Sequence, residues 1–337
     1  MNIDSLIQWF QSSVFFGTVI MFGCCGEILT EKSGNLNLGI PGTMYLGGIA
    51  SLAGAFFYEN ACASAGITPN PFLCILIAVV CAFAAGAFGG LIFSFLTTTL
   101  RANQNVTGLT LTIFGAGIAN FFGGSLNKLA GGVGQISISA TSEAFRTTVP
   151  FLDKLGLFGK AFLSYGFLAY AAIVIAVLMA IFLKKSHAGL NLRAVGENPA
   201  TADAAGINVT AYKYLSTCIG CGIAGLGGLY YVVDYTKGTW ANDGTIETLG
   251  WLAVALVIFT TWKPLNAIWG SYLFGMLYWM YLYTDLFGFT LSRSFQSIFK
   301  MLPYLATILV LILTSIRKKR ENQPPANLGL PYFREER

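Results

Sequence analysis

The chain has 337 residues, 55% of them hydrophobic and 10% charged, with a formal net charge of +5 and a mean hydropathy of +0.65. About a quarter of the residues in soluble proteins are charged, so a water-soluble two-domain chain with polar outer helix faces is excluded. Of the seven cysteines only Cys62 lies outside an apolar run, which argues against a disulfide framework.

In chain order, runs of about the length needed to cross a bilayer core ~30 Å thick occupy 9–29, 38–58, 71–99, 105–122, 162–183, 214–233, 248–261, 265–283 and 298–316. The expected fold is all-α, a polytopic transmembrane helix bundle of about nine spans (8-10). One transmembrane domain fills 1–320, and 321–337, with Pro324-Pro325, forms a flexible cytoplasmic tail. The start, MNIDSLIQWF, has no basic region and no small-residue cleavage site, so no cleaved signal peptide is expected. The run 71–99 is long enough to tilt. The run 248–261 is short and turns directly into the next through Trp262-Lys263-Pro264.

Two connections are long. Residues 123–161 form an outer loop, Gly/Ser-rich and irregular in its first half and lying along the membrane surface in its second. Residues 184–213 form the largest inner loop. Placing the N-terminus outside and the C-terminus inside puts thirteen of the 20 Lys and Arg residues inside, including the cluster Arg317-Lys318-Lys319-Arg320.

Small residues recur at i, i+4 spacing in Ala82-Gly86-Gly90-Ser94, Gly115-Ala119-Gly123 and Gly220-Ala224-Gly228. Such ladders let helix backbones approach where lipid supplies no hydrophobic drive for association. Gly220 to Gly225 matches the dinucleotide fingerprint GxGxxG, but it lies inside an apolar run rather than between a strand and a helix, so the match is rejected. No phosphate-binding loop of the GxxxxGK[ST] type occurs. Cys218 and Cys221 read as buried small hydrophobes. No charged residue lies near the middle of a run, and Glu27 is nearest to an exception; an ion-coupled secondary solute carrier would need such a site. An embedded enzyme would need converging catalytic groups.

The inner loop contains RAVGENPATADAAGI at 193–207. Asn198 suits an N-cap, Pro199 the first helical position and Gly206 the left-handed stop, predicting a two-turn helix. It reads either as a docking helix for another protein or as an ordered surface turn. This stretch resembles the membrane subunits of ABC importers in the branched-chain amino acid, ribose and nucleoside permease family. EKSGNLNLGIPGTM at 31–44, LRANQNVTGL at 100–109, AGLGG at 224–228 and GWLAVAL at 250–256 are similar to family elements in the same order, so the resemblance covers nearly the whole chain. The nucleoside and simple-sugar branch is the most similar. Pro41 stands where that branch usually has Glu, and Asn105 replaces an apolar residue.

The resemblance implies a permease subunit of a prokaryotic plasma (inner) membrane. It implies cytoplasmic ABC ATPase subunits, a second homologous permease subunit and an extracellular or periplasmic substrate-binding protein as partners, with no nucleic acid. ATP and Mg2+ are then used by the partner subunits, and this chain is expected to bind no cofactor or metal. The implied contact with the ATPase is the inner helix, with Glu197, Asn198, Pro199, Ala202, Ala205 and Gly206 as coupling residues. For the solute path the candidates are the polar breaks Asn35, Asn37, Asn103, Gln104, Asn105 and Asn120, since amides both donate to and accept from sugar hydroxyls and base edges. The same amides would equally serve as helix caps or face headgroups.

Overall fold

The computed structural model describes residues 3–129, 136–146, 156–241, 243–284, 293–317 and 322–333. Each of the nine apolar runs is helical: α1 (Ile3–Glu31), α2 (Ile40–Ser64), α3 (Pro71–Ser94), α4 (Gln104–Leu129), α7 (Phe167–Lys185), α10 (Val209–Tyr230), α11 (Thr245–Phe259), α12 (Pro264–Trp279) and α14 (Leu302–Arg317). Four short helices join them: α5 (Ser139–Phe145), α6 (Gly156–Phe162), α9 (Pro199–Ala204) and α13 (Arg293–Phe299), together with the longer α8 (His187–Glu197). Local chemistry sets several of the starts. Asn70 accepts from the Phe72 N–H at 2.9 Å ahead of Pro71, and prolines also open α2 and α12. A single π-helical turn continues α3 over Phe95–Thr99 and α10 over Tyr231–Tyr235.

Among the described residues six helices are long and apolar enough to cross a membrane. The α11, α12 and α14 helices have 15, 16 and 16 residues, about 22–24 Å at 1.5 Å per residue. The all-helical architecture is therefore seen, while nine complete crossings are not.

Glycine contacts show how the helices run. A Cβ on Gly86 would lie 2.4 Å from the Cys221 carbonyl and one on Gly90 2.8 Å from that of Thr217, so α3 and α10 are antiparallel. By the same measure α2 lies parallel to α4, where Gly115 meets the Gly42 carbonyl at 2.3 Å, and α1 antiparallel to α12, where Gly275 meets that of Ser13 at 2.2 Å. The glycine ladders thus mark sites where one backbone lies on another. The α1 and α10 helices are buried along most of their length, whereas α3, α4 and α7 turn apolar faces outward. Gly220 to Gly225 sits in the middle of α10, remote from any strand-to-helix turn.

Two expectations are corrected. The first half of the 123–161 connection is not simply irregular: α4 continues to Leu129, α5 follows, and Ser137 pairs with Thr239 in an isolated bridge. Residues 130–135 and 147–155 of that connection lie outside the described residues. The tail is not free either. Residues 322–333 lie across the molecule as a strap, with backbone N–H groups of Asn327 and Gly329 donating to the carbonyls of Gly196 (3.0 Å) and Gly34 (3.1 Å). Of the basic cluster at the end of α14, residues 318–320 are outside the described set.

Candidate functional site

The segment between α1 and α2 enters the bundle instead of capping it. Ser33, Asn35 and Asn37 are fully buried, and so are Glu27 and Glu31 one turn apart at the end of α1. Irregular backbone at this depth must be satisfied by protein, and side chains do so. The Asn37 N–H donates to Glu27 Oε1 (3.1 Å), its Oδ1 accepts from the Gly39 N–H (2.9 Å), and its Nδ2 donates to Cys221 Sγ (3.2 Å). Asn35 Nδ2 donates to Thr217 Oγ1 (3.0 Å), and Gln104 Oε1 accepts from the Leu36 N–H (2.6 Å). The Trp262 indole donates to the Glu31 carboxylate. Two buried oxygens, Glu27 Oε2 and Asn35 Oδ1, have no hydrogen-bond partner among the described residues.

Of the six candidate amides, the structure brings Asn35, Asn37 and Gln104 together and leaves three outside. Asn103 caps the first turn of α4 through the Val106 N–H (3.1 Å). Asn105 and Asn120 lie on the exposed face of α4 with Leu109 and Ile113. Sequence reasoning missed Glu31, Thr217 and Trp262 and gave Cys221 only a packing role. The available signal was a pair of carboxylates at i, i+4 closing an apolar helix, which places both on one face.

The second feature is at the same end. Asn198 Oδ1 accepts from the Thr201 N–H (3.0 Å), Pro199 opens α9, and Gly206 takes φ +83° while the Ile207 N–H bonds back to the Ala202 carbonyl (3.0 Å). The helix stop read from sequence is therefore the one formed. The preceding residues form a further helix, α8, capped by Ser186 through the Gly189 N–H (2.9 Å). Glu197, Asn198, Ala205 and Gly206 are exposed. Pro199 and Ala202 are buried, with Ala202 packed between Val195 and Val209. Of the two candidate coupling alanines, Ala202 therefore faces its own chain while Ala205 stands outward.

The strap ties these features together. Besides its bonds to Gly34 and Gly196, Tyr332 donates to Asp203 Oδ2 of α9 (2.9 Å), and Lys263 Nζ donates to Asn322 Oδ1 (2.7 Å). Arg101 sits over the Phe333 ring, 4.6 Å from its centroid.

The opposite end of the bundle carries an aromatic cluster that sequence reasoning did not single out. Phe16 contacts the rings of Tyr235 (5.1 Å), Tyr278 (5.2 Å) and Trp279 (4.9 Å), and Tyr231 stacks on Tyr235 at 5.2 Å. The Tyr231 hydroxyl donates to the Asp243 carboxylate at 3.4 Å. The dense runs YYVVDY at 230–235 and YWMYLY at 278–283 were the available signal.

A family model described as branched-chain amino acid transport system / permease component matches residues 10–311. The chain is 31% identical to a nucleoside ABC transporter permease protein of Lactococcus lactis subsp. cremoris, over 93% of this chain and 94% of that one. It is 29% identical to a guanosine ABC transporter permease protein of Bacillus subtilis, over 97% and 96% respectively. A Haloferax volcanii protein, provisionally named as a glucose ABC transporter permease, is 32% identical over 79% of this chain and 74% of its own length. No solved structure matched.

Proposed function

The chain belongs to the branched-chain amino acid transport system / permease component family, and we propose that it is the membrane-spanning permease subunit of an ATP-driven importer for a nucleoside or simple sugar. In this reading separate cytoplasmic ATPase subunits use ATP and Mg2+, a second homologous permease completes the passage, and an external binding protein delivers solute. The end of the bundle that carries α8 and α9 faces the cytoplasm of a prokaryote.

The observation that carries the reading is the arrangement around α9. A capped helix presents Glu197, Asn198, Ala205 and Gly206 outward, and its neighbour α8 is bonded through Gly196 and the strap to the Gly34 turn. That turn leads into the buried cluster of Asn35, Asn37, Gln104 and Glu27. A push on α9 therefore reaches the cluster through backbone hydrogen bonds. The cluster is the closed inner end of the solute path, and when it opens, the unpartnered oxygens of Glu27 and Asn35 become acceptors for hydroxyls or base N–H groups. The ring cluster around Phe16 offers stacking surfaces for a base or a sugar face at the other end. Names of the relatives point to nucleosides first.

The test is Ala205→Trp in the assembled transporter. Its side chain stands outward, so the permease reaches the membrane at normal level and still receives solute. Uptake and transport-stimulated ATPase activity are expected to fall together. Uptake at the wild-type rate would show that α9 is not the contact and would overturn the coupling assignment.

A further inference from the structure

A cavity of about 540 Å³ opens between the end of α7, α8, the turn from α11 to α12 and the strap. Its walls carry four cations from four segments of the chain, Lys32, Lys184, Arg193 and Lys263, and among its lining residues the one carboxylate is Glu197. Side chains so far apart in sequence meet here only because the fold gathers them, and gathering like charges is unfavourable unless an anion offsets it. Burial, followed by the Arg193 guanidinium, holds the Lys32 ammonium below the usual lysine range; Lys263 adds to this, while Glu197 and Glu31 oppose it.

The wall is not polar throughout. Ala180, Leu183 and Leu265 also line the cavity, and Leu265 is 45% exposed. Lys184 and Lys185 end the 19-residue apolar helix α7, whose Val174, Val177, Leu178 and Ile181 face outward. Nearby Trp269 on α12 is 52% exposed, an aromatic placed where interfacial tryptophans sit. Cations on one side and apolar surface continuous with the lipid-facing helix on the other match an amphiphile with an anionic head. A free inorganic anion would have no use for the apolar wall.

We propose that this cavity binds the phosphate headgroup of an anionic phospholipid, with Lys184 and Arg193 contacting the phosphate and Lys32 and Lys263 adding positive charge around it. The acyl chains lie along α7 and Leu265. Basic pockets between membrane helices are suited to such heads, and Arg supplies two parallel donors to phosphate where Lys supplies a point charge. The site requires only that α7 spans the membrane, and it stands whatever solute is carried. Strap residues Gln323 and Pro325 also line it, so an occupying lipid supports the strap against α8.

Native mass spectrometry of the purified full chain, with phosphatidylglycerol and phosphatidylcholine offered in equal amounts, tests the assignment. Wild type should retain phosphatidylglycerol preferentially, and Lys184→Gln with Arg193→Gln should reduce retention by about fivefold per removed cation. Lys184→Arg with Arg193→Lys, and Lys128→Gln at the far end of α4, should retain it. Should the double neutral variant fail to fold, the single exposed Lys184→Gln carries the same comparison. Equal retention of phosphatidylglycerol by neutral variant and wild type overturns the proposal. So does binding of inorganic phosphate through these residues without retention of phosphatidylglycerol, because the occupant is then a soluble anion.

Discussion

Asn37 holds three groups at once, the Glu27 carboxylate, the Gly39 N–H and the Cys221 thiol. Replacing it with Ala keeps its own N–H but strips the Gly39 N–H of an acceptor in a fully buried place. An orphaned buried donor costs about 1–3 kcal/mol, so Asn37→Ala should lower the unfolding temperature of the purified chain clearly. Asn120→Ala, on the exposed face of α4, should change stability by less than about 0.5 kcal/mol. Equal shifts in the two variants would mean that the cluster does not hold the first connection in place. Close backbone approach gives a second expectation. A Cβ on Gly228 would lie 1.9 Å from the Met44 carbonyl and one on Gly117 would meet nothing within 4 Å. Gly228→Val should therefore abolish accumulation of folded protein in the membrane, while Gly117→Ala is accepted. At this scale the amides were legible as polar breaks in apolar sequence, yet sequence spacing alone could not separate Asn37 from Asn105. That distinction depends on which way each helix face turns, and α4 carries apolar residues on both faces.

Helix α9 was legible because its start and stop are local chemistry, an Asn cap, a Pro and a Gly at φ +83°. The strap was not. Pro324-Pro325 and the charges around it read as a flexible end, and backbone bonds from Asn327 and Gly329 to Gly196 and Gly34 leave no mark in side-chain composition. Its role can be measured. Removing residues 322–337 deletes the two strap hydrogen bonds that bridge α8 and the Gly34 turn, leaving their direct backbone contact and every membrane helix in place, so insertion should persist while ATP-driven uptake falls. Undiminished uptake by the truncated chain in the assembled transporter would show that the strap carries no force. Tyr332→Phe removes a single bond to Asp203 and should cost only about 0.5–1.5 kcal/mol, with a correspondingly mild effect on uptake.

Across the whole molecule, the helical class and the position of every apolar helix followed from hydropathy, because lipid admits only segments that satisfy their own backbone. The short α11 was legible as well, but the lengths of α12 and α14 were not, since an apolar run does not reveal where its helix stops. The glycine contacts run α3 against α10 and α1 against α12 and lay α2 parallel to α4, and backbone bonds hold the Gly34 turn, α8 and the strap together at one end. Under the proposed function, this machinery moves solute only when another protein supplies the work. The direct measurement is uptake of labelled guanosine by proteoliposomes that contain either this chain alone or the full set of permease, ATPase and binding-protein subunits. Uptake is expected only with the full set and ATP, and none by the chain alone under a proton or sodium gradient. Gradient-driven uptake by the chain alone would contradict the proposed function.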